Sequence, residues 1–372
     1  MQTGPKAFFI HFFVAVFFVI AAVAYFSPVL QGKILYQHDI AQYTGMAKEQ
    51  NDFRKKTGEE PYWTNGAFGG MPTYQLGAYY PHNYVKKLDS LIRFLPRPAD
   101  YLFLYFIGFY ILLCCMKVDY RLAIVGALAF GFSTYLIIIF GAGHNAKAHA
   151  MGYLPMLLGG IILVFRKKYL WGFVLTAIAM ALEVQANHYQ MTYYFMLMVL
   201  ILGGVYLYDA IRKKYLKHFF ISVGILLVAV TLGIGANATG LMATKEYADW
   251  STRGKSELTI TPDGATKENT GGLSKEYITQ WSYGITESLN LFVPHMFGGG
   301  SAETLGKDSK TYEYLVDKGI PRTKALEFAE GIPWYWGEQP STSGPAYIGA
   351  IIFFLFFLVL LRCVLWLKSI ST

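Results

Sequence analysis

Eight runs of apolar residues, each near the length of a bilayer crossing, constrain this chain more than any other feature. A spanning helix needs about 20 mostly apolar residues. Such runs lie near 7–29, 101–117, 121–141, 149–165, 169–187, 190–209, 218–240 and 346–367. In hydrocarbon every backbone N–H and C=O must be bonded within its own segment, so the runs predict helices and an all-α polytopic membrane protein. Only 15% of the residues are charged, against about 25% in an average soluble domain. The 28 Phe and 28 Tyr suit lipid-facing surfaces and interfacial belts. The first run exceeds the h-region of a signal peptide and lacks a clean A-x-A site, so it is expected to stay as an anchor.

Short basic loops orient the helices, because Lys and Arg near span ends favour the cytoplasm. Lys6 precedes the first run. Lys117 and Arg121 flank the turn after the second, Arg166–Lys168 separate the fourth and fifth, Arg212–Lys214 and Lys217 separate the sixth and seventh, and Arg362 and Lys368 end the eighth. With eight spans and a cytoplasmic N-terminus, all these groups share one side. The organisation expected is a seven-helix core over 1–240 with a folded first outer loop (30–100), a long outer loop over 241–345, and an eighth helix and C-terminal end over 346–372. Within the first loop, 81–98 carries Val85, Leu88, Leu91, Ile92 and Leu95 at helical spacing, which predicts an amphipathic helix on the membrane surface.

Four polar sets fall on the outer side, where ionisable groups near membrane helices are functional candidates. The first is Tyr36-Gln37-His38-Asp39 with Gln42 and Tyr43. A carboxylate beside an imidazole suits a general base, and Asp39 equally suits the N-cap of a helix over 40–50. The second is His144, Asn145, Lys147 and His149. Asn145 and His149 share a helix face, and Lys147 and the imidazoles suit a phosphate; a solvated outer turn is the alternative. The third is Glu183, Gln185, Asn187, His188 and Gln190. Glu183, Asn187 and Gln190 are expected on one face, with Glu183 paired to Lys147 or a histidine, unless the set is helix-packing polarity alone. The fourth, Trp63 and Asn65 with Gly69-Gly70, offers a ring platform and hydroxyl-matching amide, or an interfacial anchor.

Other chemistries lack their residues. Cys114, Cys115 and Cys363 show no CxxC or metal spacing and are expected as packing thiols. No metal site is expected, and a divalent metal requirement is left open. No Walker A, GxSxG or HExxH occurs. The net charge of +8 reflects basic loops and anionic lipid; no nucleic-acid motif is present. Trp334-Tyr335-Trp336-Gly337 is a further aromatic platform or anchor with no role assigned.

The ordered set ILYQHDIAQYTGMAKEQ, WTNGAFGGMPTYQ, GHNAKAHAMGYLP and ANHYQMTYY resembles the YfhO-like bacterial membrane proteins. These begin with one span, an Asp near Gln-Tyr, and Trp-x-x-x-x-x-Gly-Gly, and the likeness runs through most of residues 1–300. It implies a GT-C-like architecture in the bacterial cytoplasmic (inner) membrane. It also implies an enzyme that takes a sugar from a polyprenyl-phosphate carrier and passes it to an envelope polymer, glycolipid or protein, with Asp39 as base and His38 beside it. The chemistry assigns His144, Lys147 and His149 to the departing phosphate, and Asn145, Glu183, Asn187, His188, Gln190, Trp63, Asn65, Gln42 and Tyr43 to substrate. Family members are usually much longer, so a fragment or a shortened member is expected. A transporter or flippase of a lipid-linked saccharide, and a non-catalytic envelope-assembly subunit, are the competing functions.

Overall fold

The structure, a computed structural model, describes residues 4–251, 254, 260, 263–265 and 273–371, with side chains to residue 363. Parts of the 241–345 segment and the Lys368 side chain lie outside the described residues. The described chain is mostly helical, with one two-stranded antiparallel hairpin, β1 (Trp63–Thr64) against β2 (Met71–Pro72).

The apolar runs become helices α1 (Pro5–Tyr25), α5 (Ala99–Cys115), α6 (Tyr120–Gly131) with α7 (Thr134–Gly141), α8 (Asn145–Phe165), α9 (Tyr169–Gln185), α10 (Tyr189–Arg212), α11 (Leu216–Gly235) and α16 (Ala350–Ser371). Four of them, α1, α8, α10 and α11, are long and apolar enough to cross a membrane. The pair α6 and α7, bent by 43° at its break, makes a fifth if it is one span. Helices α5 and α9, of 17 residues each, are apolar but shorter. Among the described residues, four or five helices thus meet this length test, against the eight apolar runs of the sequence, within a mostly helical protein suited to a membrane. The segments 30–100 and 238–345 add α2 (His38–Met46), α3 (Lys48–Thr57), α4 (Tyr84–Ile92), α12 (Ala238–Asp249), α13 (Lys275–Thr279), α14 (Lys310–Asp317) and α15 (Arg322–Glu330).

The chain forms two compact units, Met1–Phe132 with Phe140–Trp250, and Ser133–Ile139 with Ser251–Thr372. In the first, α1 packs on α5, α5 on α6 and α8, α8 on α9, and α9 on α11. Leu104, Tyr153, Met156, Ile161, Met180 and Leu182 form its core. Small residues set the close approaches. A Cβ on Gly108 would meet the Gly152 carbonyl oxygen at 2.4 Å, and one on Gly160 would meet the Thr176 backbone nitrogen at 2.7 Å. Without a hydrophobic drive between lipid-embedded helices, such contacts gather the dispersion energy. In contrast, α10 turns Leu200, Ile201 and Val205 outward, each at least 60% exposed, as a lipid-facing helix would.

Three basic turns share one construction. Lys117, Lys167 and Lys214 each take a left-handed φ of 57–64°. The next residue's N–H donates to a carbonyl five residues back: Val118 to Leu113, Lys168 to Leu163 and Tyr215 to Ala210. This closes the preceding helix in a Schellman manner and reverses the chain within a few residues.

In the second unit, Glu287 is buried and accepts from Tyr335 Oη at 2.7 Å and from the Gly284 amide. Trp334 stacks on His295 with centroids 5.2 Å apart, and Trp336 lies 4.4 Å from Phe297. The 334–337 aromatics thus pack this unit.

Candidate functional site

Asp39 sits in the first turn of α2, exposed to solvent. The helix starts at His38, with Gln37 as N-cap, so Asp39 is not the capping residue that its position suggested. There it still favours the partly positive helix N-terminus. Gln37 is buried and forms a reciprocal amide pair with Asn145 at 3.0 and 3.2 Å, and it also donates to the Phe140 carbonyl at 2.6 Å. Asn145 is therefore a clamp that fixes the start of α2 to the start of α8. The clamp seats Asp39 over Gly143, whose φ is +82°. A Cβ on Gly143 would lie 3.2 Å from the Asp39 Cβ and 3.3 Å from that of Gln37. Only glycine suits both that backbone and that gap.

Beyond Gly143 come His144, the N-cap residue of α8, and Lys147 in its first turn. His188 is the N-cap residue of α10. Burial lowers the His144 basicity, the Lys147 charge lowers it further, and Asp39 acts against both. Burial likewise lowers His188, with Lys147 and His144 adding to it. His188 Nδ1 is buried with no hydrogen-bond partner among the described residues. Asp39, His144, Lys147 and His188 thus share one electrostatic neighbourhood at the N-termini of two long helices, a setting that favours anions. His38 and Gln42 are exposed on α2 next to Asp39.

His149 does not belong to this group. It is buried, and its Nε2 donates to Asp89 of α4. Tyr153 Oη donates to the same carboxylate at 2.7 Å, and Arg93 binds both Asp89 (2.8 Å) and Asp100 (2.6 Å). Burial pushes the Asp89 carboxyl up, but hydrogen bonds from His149 and Arg93 outweigh it and hold the group well below the usual range. The residue pattern of 81–98 did not single out this network. Its one signal was a carboxylate at position 89 on the face of α4 that also carries Val85 and Ile92, both of which pack on the core.

Glu183, fully buried on α9, accepts from Thr192 Oγ1 at 2.8 Å. The expected pairing with Lys147 or a histidine is not made. Nor do Glu183, Asn187 and Gln190 share a face. The helix ends at Gln185, Asn187 turns with φ 58°, and Gln190 lies on α10, where it donates to Tyr194 Oη. In the 30–100 loop, Trp63 Nε1 donates to Asn65 Oδ1 at 3.1 Å, and the indole covers Gly70. Tyr43 Oη donates to the Leu76 carbonyl. These three hold the loop together and do not meet Asp39 through any hydrogen bond described.

Glu49 of α3 organises that loop, accepting at one oxygen from Thr64 Oγ1 (2.6 Å) and from the Asn65 and Gly66 amides (2.9 and 2.7 Å). The Thr64 bond, then the Gly66 bond, lower its pKa below the ordinary 4.5. A lowered carboxylate stabilises the fold fully above the ordinary value and loses that contribution as pH falls through its folded value. Acidification from about pH 5.5 to about pH 3 should therefore lower the melting temperature less in Glu49→Gln than in the wild type. Equal acid sensitivity of the two proteins would contradict this role.

No three His, Cys, Asp or Glu side chains gather as a metal site among the described residues. No protein-family profile, curated protein or solved structure matches the chain.

Proposed function

We propose that the chain is a GT-C-like glycosyltransferase of a bacterial cytoplasmic membrane, moving a sugar from a polyprenyl-phosphate carrier to an envelope acceptor at the outer face. One observation carries this reading: exposed Asp39 is seated over Gly143, in the electrostatic neighbourhood of His144, Lys147 and His188. A lone carboxylate beside a cationic, anion-favouring surface is what an inverting transfer from a lipid phosphate requires. Asp39 takes the proton of an acceptor hydroxyl, whose oxygen attacks the anomeric carbon. The bond from that carbon to the phosphate oxygen breaks, and the electron pair leaves with the phosphate. Lys147, His144, His188 and the α8 N-terminus stabilise the charge that develops there. His38 is a second proton carrier on the same turn. A second carboxylate, as in glycosidases, is not needed. The basic turns at Lys117, Lys167 and Lys214 face the cytoplasm in this arrangement, with the N-terminus on the same side and eight crossings in all.

Asp39→Asn should keep the protein folded in the membrane and lower envelope glycosylation by about 10²-fold or more, the usual weight of a general base. Mass spectrometry of envelope glycans and carrier lipids from cells expressing each form reads the result. Undiminished glycosylation by Asp39→Asn removes the base. Uptake of a lipid-linked saccharide by proteoliposomes holding this protein alone would replace the transferase with a transporter.

A further inference from the structure

A cleft of about 780 Å³ opens in the first unit between the segment 74–86, the end of α9 and the start of α12. Its size is that of a small-ligand site, about 300–1,000 Å³. Its lining mixes apolar residues with neutral polar side chains and is almost uncharged. Five carboxamides, Gln75, Asn83, Gln185, Asn187 and Asn237, are joined by hydroxyls of Thr239, Thr244, Tyr74, Tyr80 and Tyr189. The ionisable groups on it besides these tyrosines and Tyr84 are Lys86 and His82, and no carboxylate lines it.

The amides are held in place by one another and by the frame. Asn83 Nδ2 donates to Gln185 Oε1 at 2.9 Å, Gln75 Nε2 to Thr244 Oγ1 at 3.0 Å, and Asn237 Nδ2 to the Ala181 carbonyl at 2.9 Å. The Asn187 carboxamide has no hydrogen-bond partner among the described residues, on a turn with φ 58°. A carboxamide offers a donor and an acceptor on one plane, the match for an alcohol that must give and take a hydrogen bond. Tyrosine faces add surfaces for C–H groups. An anion would want more than one cation, and an apolar ligand would strand the amides.

We infer that this cleft is a binding site for an uncharged saccharide of a few rings. Asn187 lines the cleft and His188 follows it in the chain, so the cleft adjoins the Asp39 neighbourhood. Its role as the acceptor subsite rests on the transferase reading; its affinity for saccharide does not.

The test uses the full chain in phosphatidylcholine nanodiscs, free of sugar-based detergent, titrated calorimetrically with maltotriose, cellotriose, chitotriose and trigalacturonate. At least one neutral trisaccharide should bind, and the uronate should bind about tenfold more weakly or not at all. Gly240 lines the cleft, and a Cβ there meets nothing within 4 Å, so Gly240→Phe should abolish binding without lowering the melting temperature. Gln75→Ala with Thr244→Ala should weaken it about tenfold. Asp39→Asn should bind as the wild type does. Loss of transfer in Asp39→Asn without saccharide binding by the wild type overturns the cleft and spares the transferase. Binding without any transfer does the reverse. Preference for the uronate, saccharide binding unchanged by Gly240→Phe, or binding of an uncharged Gly-Ser peptide in place of every sugar overturns the proposal.

Discussion

Asp89→Ala should destabilise the protein by about 3–5 kcal/mol, the cost of removing one partner from a buried ion pair. The carboxylate is 3% exposed and takes hydrogen bonds from His149, Tyr153 and Arg93. Its loss leaves two neutral donors buried without an acceptor and Arg93 with Asp100 alone. Asp89 ties helix α4 to α8, and Val85 and Ile92 beside it pack on the core, so the docking of α4 should loosen with its loss. Asp89→Asn keeps the volume and one acceptor oxygen and should lose less. Unfolding titrations in micelles measure both. A loss below about 1 kcal/mol for the alanine variant would show that the network carries no stability. Above the ordinary aspartate value of 3.8 the stabilisation is complete, and it fades as pH falls through the lower folded value, because the folded pKa is depressed.

Gly160→Ala should cost about 2–3 kcal/mol, at the upper end for overpacking. The added carbon would lie 2.4 Å from Thr176 Oγ1 and 2.7 Å from its backbone nitrogen, so helices α8 and α9 must separate. Gly204→Ala on α10 supplies the contrast. A Cβ there meets nothing within 4 Å, and an alanine inside a helix gains up to about 1 kcal/mol over glycine. Equal stability of the two variants would mean that the α8–α9 contact is looser than the structure has it.

The elements of the site were legible in unequal measure. The Gly141–His149 turn stood out because polar residues interrupt apolar runs at a helix end, and Asp39 because it follows the first run so closely. Asn145 and His149 looked like one ligand face from their spacing of four. They diverge because one meets Gln37 and the other meets Asp89, partners 108 and 60 positions away. Glu183 looked destined for a cation, yet it takes a hydrogen bond from Thr192 across the α9–α10 turn at one oxygen, and its other oxygen is buried with no partner among the described residues. The trio Glu183, Asn187 and Gln190 failed as a face because Asn187 takes a left-handed turn inside what reads as continuous helical pattern.

The sequence by itself determined that this chain is built of apolar helices joined by basic and polar turns. Hydrocarbon leaves the backbone no other way to satisfy its hydrogen bonds, and charge is tolerated only at the ends. The tertiary structure alone decided which polar side chains meet. Partners across helices are set by packing of small residues such as Gly108 and Gly160, whose contact distances no periodicity encodes, and so Asp89 found His149 while Asp39 was left open to solvent.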